Sequence, residues 1–169
     1  NIPQLTICAD GKELVREADV ILLGVKPQIM GPVLEEIAGE YNKESLVISM
    51  AAGVNISFYE KYFGNDAKII RIMPNLPAKV GAGMISVSRN DNVTEEQFKL
   101  AMEIFGSVGM AEEVDESMID CVIGVSGSSP AYTYMYIQAL AEAAVANGMD
   151  AEKARVFAAQ SVLGAAKLV

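Results

Sequence analysis

The chain has 169 residues, 51% hydrophobic and 21% charged, with 13 Lys and Arg against 22 Asp and Glu and a net charge of −9. That length holds one compact domain or two small ones with a sizeable core, and the composition excludes a disordered chain. A pI near 4.5 argues against a nucleic-acid partner, and the absence of any His removes the commonest general base and metal ligand. Chemistry then has to come from a cofactor, or from Lys, Tyr, Ser, Thr and carboxylates, and no metal site is expected.

Cys8 and Cys121 form neither a C-x-x-C pair nor a disulfide framework, so a reducing cytoplasm is the expected location. The longest apolar runs fall far short of the roughly 20 residues that cross a membrane, and no basic, Leu-rich leader opens the chain. It begins at Asn1 and stops at Val169 inside a helical pattern, so both ends read as cut from a longer protein.

In chain order, Val20 to Val25 is a β-branched and Leu run, read as a strand buried on both faces. Lys26-Pro27 ends it, and Pro27 suits the first turn of a helix whose apolar positions recur through Ile37, with Gly39 as stop. A second strand, Leu46 to Met50, closes in Ala51-Ala52-Gly53. After a short helix through Phe58, Tyr59 and Tyr62, a third runs Lys68 to Ile72 into Met73-Pro74-Asn75. Strand, helix, strand, helix, strand with short links predicts a parallel sheet with right-handed crossovers. Met84 to Ser88 reads as an edge strand. Thr94-Glu95-Glu96-Gln97 is a capping box opening a helix with Phe98, Ala101, Met102 and Phe105 inward, and Ala111 to Val114 closes this half as a short strand.

From Ser117 the texture changes. Met118 to Val122 is helical, Gly124 to Pro130 interrupts, and Ala131 to Asn147 is a long helix ended at Asn147-Gly148. Asp150 caps a further helix that runs to the end. Both long helices are rich in Ala and poor in charge, a composition expected of helices buried nearly all round. Two such helices cannot cover themselves, so a homodimer or larger homo-oligomer built through them is expected. The two domains are expected at 1–115 and 116–169.

In an open parallel sheet, ligands bind in the crevice at the carboxyl ends of the strands. Three such ends are Gly24-Val25-Lys26-Pro27, Ala51-Ala52-Gly53 and Met73-Pro74-Asn75. The small residues of the second allow close approach to the backbone, and Lys26 can offer an ammonium to ribose hydroxyls or a phosphate. The plainer reading is three ordinary turns punctuated by Gly and Pro. No G-x-G-x-x-G occurs, and Gly81-Ala82-Gly83 reads as a turn. The nine Met, Met102, Met110 and Met135 among them, read as core filling, and Cys121 as buried and inert. The acidic run Glu112 to Glu116 reads as a solvated turn.

Five stretches in order carry a resemblance: Val25-Lys26-Pro27, Ala51-Ala52-Gly53-Val54, Arg71 to Pro77, Val108-Gly109, and Ser126-Gly127-Ser128-Ser129-Pro130-Ala131-Tyr132. From Ala18 to Val169 the chain resembles pyrroline-5-carboxylate reductase, which reduces a cyclic imine to proline with a nicotinamide cofactor. The resemblance implies an α/β protein, a Rossmann-type parallel-sheet domain followed by an all-helical dimerisation domain. It implies NADP or NAD as cofactor and a small cyclic imine as substrate, with neither nucleic acid nor membrane as partner. Gly24, Val25, Lys26, Pro27, Ala51, Ala52, Gly53 and Asn75 become cofactor-binding candidates. Ser126, Gly127, Ser128 and Tyr132 become substrate-proximal candidates, and Lys26 and Ser128 are the candidates for a catalytic role. The family's Gly-rich first turn and its substrate loop have no counterpart in the chain. Ser129 stands where the family usually has Gly, and Leu76 and Ile123 where it has Thr. A catalytically silent dimerisation module, or a related hydroxy-acid dehydrogenase, is the alternative.

Overall fold

A sheet flanked by helices forms the first part of the chain in the computed structural model, which describes residues 5–169. A short helix, α1 (Gly11–Glu17), precedes β1 (Val20–Leu23), and α2 (Pro27–Ile37), β2 (Leu46–Ser49), α3 (Ile56–Phe63) and β3 (Lys68–Met73) follow. Next come β4 (Gly83–Arg89), α4 (Glu95–Gly106), β5 (Gly109–Glu113) and a short α5 (Ile119–Val122). The last helices are α6 (Ser129–Ala146) and α7 (Ala151–Ala166). The chain divides into two compact units, one ending at Ile123 and the other Gly124–Val169.

Strand order in the sheet is β1-β2-β3-β4-β5. The first three strands run parallel, with Leu23 opposite Ser49 and Ser49 opposite Arg71. The β3–β4 pair is antiparallel, so the sheet is mixed rather than wholly parallel. The reason lies in the link. Only a 3-10 turn at Leu76–Val80 and four further residues, Pro74, Asn75, Gly81 and Ala82, join these strands, whereas a parallel crossover needs about a dozen residues or more. Met84 to Ser88 is therefore not an edge: β4 lies between β3 and β5. At the other end of the sheet Leu22 is 51% exposed, so β1 is not buried on both faces. Helix α4 packs over β4 and β5, leaving Leu22 uncovered while Val20 on the same face stays half-buried.

Two apolar layers sandwich the sheet. One face joins Ile21, Leu23, Val47 and Ile69 to Met30 and Leu34 of α2 and to Tyr59 and Phe63 of α3. The other joins Ile48, Ile70, Ile72, Ile85 and Val87 to Phe98, Ala101 and Phe105 of α4. Burial of each such side chain contributes about 1.5–3 kcal/mol relative to exposure. The α4 start forms as its sequence predicts, Thr94 Oγ1 accepting from Gln97 N and the Gln97 side chain accepting from Thr94 N. Helix α1 was not among the sequence expectations, yet it carries a legible signal. Asp10 accepts from Glu13 N at 2.9 Å, and Glu13 reaches back to Ala9 N at 2.7 Å.

In the second unit α6 and α7 pack on each other through Ala141, Ala154 and Ala158. Within this single chain they are not buried all round: Tyr132, Met135, Tyr136, Val156 and Phe157 are each more than half exposed. The Gly124 to Pro130 stretch is not a loop but a π-helical turn at Ile123–Gly127 leading straight into α6. Met110 and Met135 are exposed rather than core, and Cys121 is exposed as well.

Candidate functional site

Because β1, β2 and β3 are parallel and in register, their carboxyl ends reach one edge of the sheet together. The turns Gly24–Pro27, Ala51–Gly53 and Met73–Asn75 all leave from that edge. Gly24 and Lys26 are exposed, with Lys26 as N-cap of α2, backbone extended and no capping bond from its side chain. Ala51 is buried, while Ala52 and Gly53 are exposed, Gly53 at φ +72. A trough of about 490 Å³ runs between the starts of α2 and α3, with Pro27, Gln28, Gly53 and Lys61 on its walls. Small residues, two helix N-termini and Lys26 at such an edge, with Lys61 on the trough wall, suit the nicotinamide and ribose end of a dinucleotide. Gly24, Val25, Lys26, Pro27, Ala51, Ala52 and Gly53 are thus brought to one place.

Asn75, at the third of these turns, also has a structural task. Its side-chain oxygen accepts from Met84 N at 2.9 Å, bracing the short link between β3 and β4. Ser126, Gly127, Ser128 and Tyr132 lie in the second unit, the first three half-buried in the π turn and at the head of α6, Tyr132 64% exposed. Ser129 occupies the first position of α6, and no non-Gly residue described has a positive φ, so this position does not require Gly. Leu76 is exposed at the start of the 3-10 turn, and Ile123 is half-buried at the start of the π turn.

Beneath the edge is a buried polar network that residue-by-residue reading missed. Ser49 Oγ accepts from Ala51 N at 3.2 Å and lies 2.6 Å from the Tyr59 hydroxyl. Arg71, 3% exposed, donates from Nη1 to Glu116 Oε1 at 3.1 Å and to Asn55 Oδ1 at 3.3 Å. Glu116 Oε1 also accepts from Ile56 N at 2.8 Å, so it caps α3 from 60 residues away. Asp115 caps the turn that presents Glu116. The Ser117 hydroxyl and then its N–H hold the Asp115 carboxyl below its ordinary range. The signal was a charged residue, Arg71, flanked on both sides by apolar residues in the middle of a strand. Glu116 was hidden in an acidic run that otherwise does read as surface.

Burial pushes the Tyr59 hydroxyl above its ordinary 10.0, with Glu116 adding to the rise and the Ser49 hydrogen bond and the Arg71 charge opposing it. The folded state therefore holds this proton more tightly than the unfolded one. Stability from this source is complete below pH 10.0 and is lost as the pH rises past it. Denaturant midpoints should hold steady up to about that pH and fall above it. Tyr59→Phe should flatten part of the fall at a cost of about 1 kcal/mol near neutrality. Tyr41, raised mainly by burial as well, contributes in the same direction.

Across α3 from the trough, a second hollow of about 530 Å³ is lined by Glu60, Glu113, Asp115 and Glu116 with Arg89. Its carboxylates oppose a phosphate-bearing ligand. Among the described residues no group of three or more Cys, Asp and Glu is placed to hold a metal ion, and no helix is long and apolar enough to cross a membrane.

Comparison with known proteins agrees with this fold. Residues 116–169 match the family described as pyrroline-5-carboxylate reductase dimerisation, and residues 3–53 match NADP oxidoreductase coenzyme F420-dependent. The pyrroline-5-carboxylate reductase of Escherichia coli (strain K12) is 51% identical over 158 residues, 94% of this chain and 59% of that protein. That of Methanosarcina acetivorans is 43% identical over 164 residues, 97% of this chain and 61% of its own length. The crystal structure of Plasmodium falciparum pyrroline carboxylate reductase with NADP bound superposes with a TM-score of 0.89 at 36% identity, covering 96% of this chain and 62% of that one. The chain spans about three-fifths of the length of the curated relatives it matches. Over that span the chain shares the fold of these relatives, and it belongs to the pyrroline-5-carboxylate reductase family.

Proposed function

We propose that the protein carrying this chain reduces 1-pyrroline-5-carboxylate to L-proline by hydride transfer from NADPH or NADH. The observation that supports it most is the exposed Ala52–Gly53 backbone beside Lys26 at the carboxyl edge of the sheet, in a chain 51% identical to a pyrroline-5-carboxylate reductase. Gly24, Val25, Lys26, Pro27, Ala52 and Gly53 hold the nicotinamide and ribose end, Ala51 supports them from below, and Asn75 serves by bracing the edge. The reduced nicotinamide supplies the hydride when bound. An imine carbon is already electrophilic, so no protein nucleophile is needed, which suits a chain without His. Lys26, exposed at the edge, orients and neutralises. Ser126, Gly127, Ser128 and Tyr132 are proposed on the family pattern as residues that serve the substrate.

We place a second copy of the chain against α6 and α7. Their groove is lined by Tyr134, Ile137, Ala141 and Val145, and residues 116–169 match a family described as a dimerisation domain. A homodimer or larger homo-oligomer in the cytoplasm follows as the proposed state, the free thiols of Cys8 and Cys121 suiting a reducing compartment.

The test is thermal unfolding and turnover of the purified protein. NADPH at about 100 times its Kd should stabilise by about 2.7 kcal/mol, a shift of several degrees in Tm that saturates. Added 1-pyrroline-5-carboxylate should then oxidise NADPH. No saturable shift would favour a silent dimerisation module, and NADPH oxidation by a 2-oxo acid but not the imine would favour a hydroxy-acid dehydrogenase.

A further inference from the structure

We infer that Arg71 and Glu116 are positioning residues that hold the cofactor-facing loop Ala51–Asn55 in place, acting from beneath it without touching the cofactor. The inference rests on the cofactor reading above. The loop is pinned at both ends by buried polar groups. At its start, Ala51 N donates to Ser49 Oγ, itself in contact with the Tyr59 hydroxyl. At its end, the Asn55 side chain accepts from Arg71, and the Ile56 N–H donates to Glu116 Oε1. Between these anchors Ala52 and Gly53 are exposed.

The chemistry of the second anchor is unusual for a helix start. Asn55 is a good residue to cap α3, yet its side chain makes no capping bond. It faces Arg71 instead, and the carboxylate of Glu116 takes the orphan N–H at the helix start, where negative charge is favoured. Arg71 is fixed in turn by its place in the sheet, opposite Ser49 on one side and Ser88 on the other. Sheet, loop and the turn at Glu116 are thereby locked by one guanidinium. An ion pair whose Arg71 side is buried and whose Glu116 side is partly exposed contributes little net stability compared with apolar residues of similar volume, while it fixes geometry. A charge kept in a central strand is therefore better explained by what it positions than by what it stabilises.

The test uses the purified enzyme and two double variants. Arg71→Met with Glu116→Leu removes the ion pair and the acceptor for Ile56 N–H but keeps the volume filled. Arg71→Met with Glu116→Gln restores the acceptor alone. The first should raise KM for NADPH about tenfold, with Tm, kcat and KM for the imine little changed. The second should recover most of the NADPH affinity. In parallel, amide exchange over residues 52–56 should quicken in the Leu variant and return toward the parent in the Gln variant, whether or not NADPH binds. Parent-like KM for NADPH and parent-like exchange in the Leu variant would overturn the inference. A uniform loss of kcat, both KM values and Tm in both variants would overturn it too, by showing a merely structural pair. If the parent protein binds no NADPH, the functional reading fails, and the exchange measurement alone still decides for or against the clamp.

Discussion

Gly109→Ala should destabilise the first unit by about 3 kcal/mol or more, well beyond an ordinary surface change. A Cβ at this position would stand 2.1 Å from the Gly83 carbonyl oxygen and 2.4 Å from its nitrogen, distances that no contact tolerates. Both atoms are backbone, so no side chain can swing aside. The strands themselves would have to part, and with them the Gly83 N to Val108 O bond at 3.0 Å that opens the pairing. Gly106→Ala is the control, since a Cβ there meets nothing within 4 Å. At the end of α4 it should change stability by less than about 1 kcal/mol. Urea midpoints of the two variants decide the matter. A Gly109→Ala midpoint close to that of Gly106→Ala would mean that the two glycine backbones are not apposed.

Gly53→Val should cost at least tenfold in NADPH affinity, equal to about 1.4 kcal/mol, while the protein remains folded. Gly53 is at φ +72, where an L-residue pays about 1–2 kcal/mol and a β-branched one more. Nothing lies within 4 Å of a Cβ built there, so the fold itself has room. The damage is expected at the exposed backbone of the proposed cofactor site. Gly24→Ala separates the two causes. Gly24 has no positive φ and open space around it, so Ala there should leave stability within about 0.5 kcal/mol of the parent. Any affinity lost in that variant reports occupation of the edge. Fluorescence titration with NADPH, alongside denaturant midpoints, gives both quantities. If Gly53→Val bound NADPH as tightly as the parent, the Ala51–Gly53 turn would not face the cofactor.

Much of the fold was written in local patterns. Apolar runs ended by Lys26-Pro27, Ala51-Ala52-Gly53 and Met73-Pro74-Asn75 located three strands and their shared edge, because a strand buried in a sheet must be apolar and its exit must turn. Thr94 and Gln97 marked a helix start in the same way, as their bonds close within one turn. Asp10 and Glu13 marked another that was passed over. The direction and neighbours of β4 were not legible from Met84 to Ser88 alone, since an alternating strand reads the same at an edge and in the middle. Only the length of the link before it, too short for a crossover, sets its direction.

The residues of this chain therefore determined its strands, its helix starts and the small, open turns where a cofactor can approach. Their signals act between neighbours a few positions apart, and such interactions survive in a linear reading. Tertiary structure alone decided that Glu116 caps a helix 60 residues before it, that Arg71 is buried against it, and that Gly109 has no side chain because Gly83 occupies the space. Each of these pairs partners distant in sequence, brought together only when the sheet forms, and no pattern within either segment encodes the distance between them.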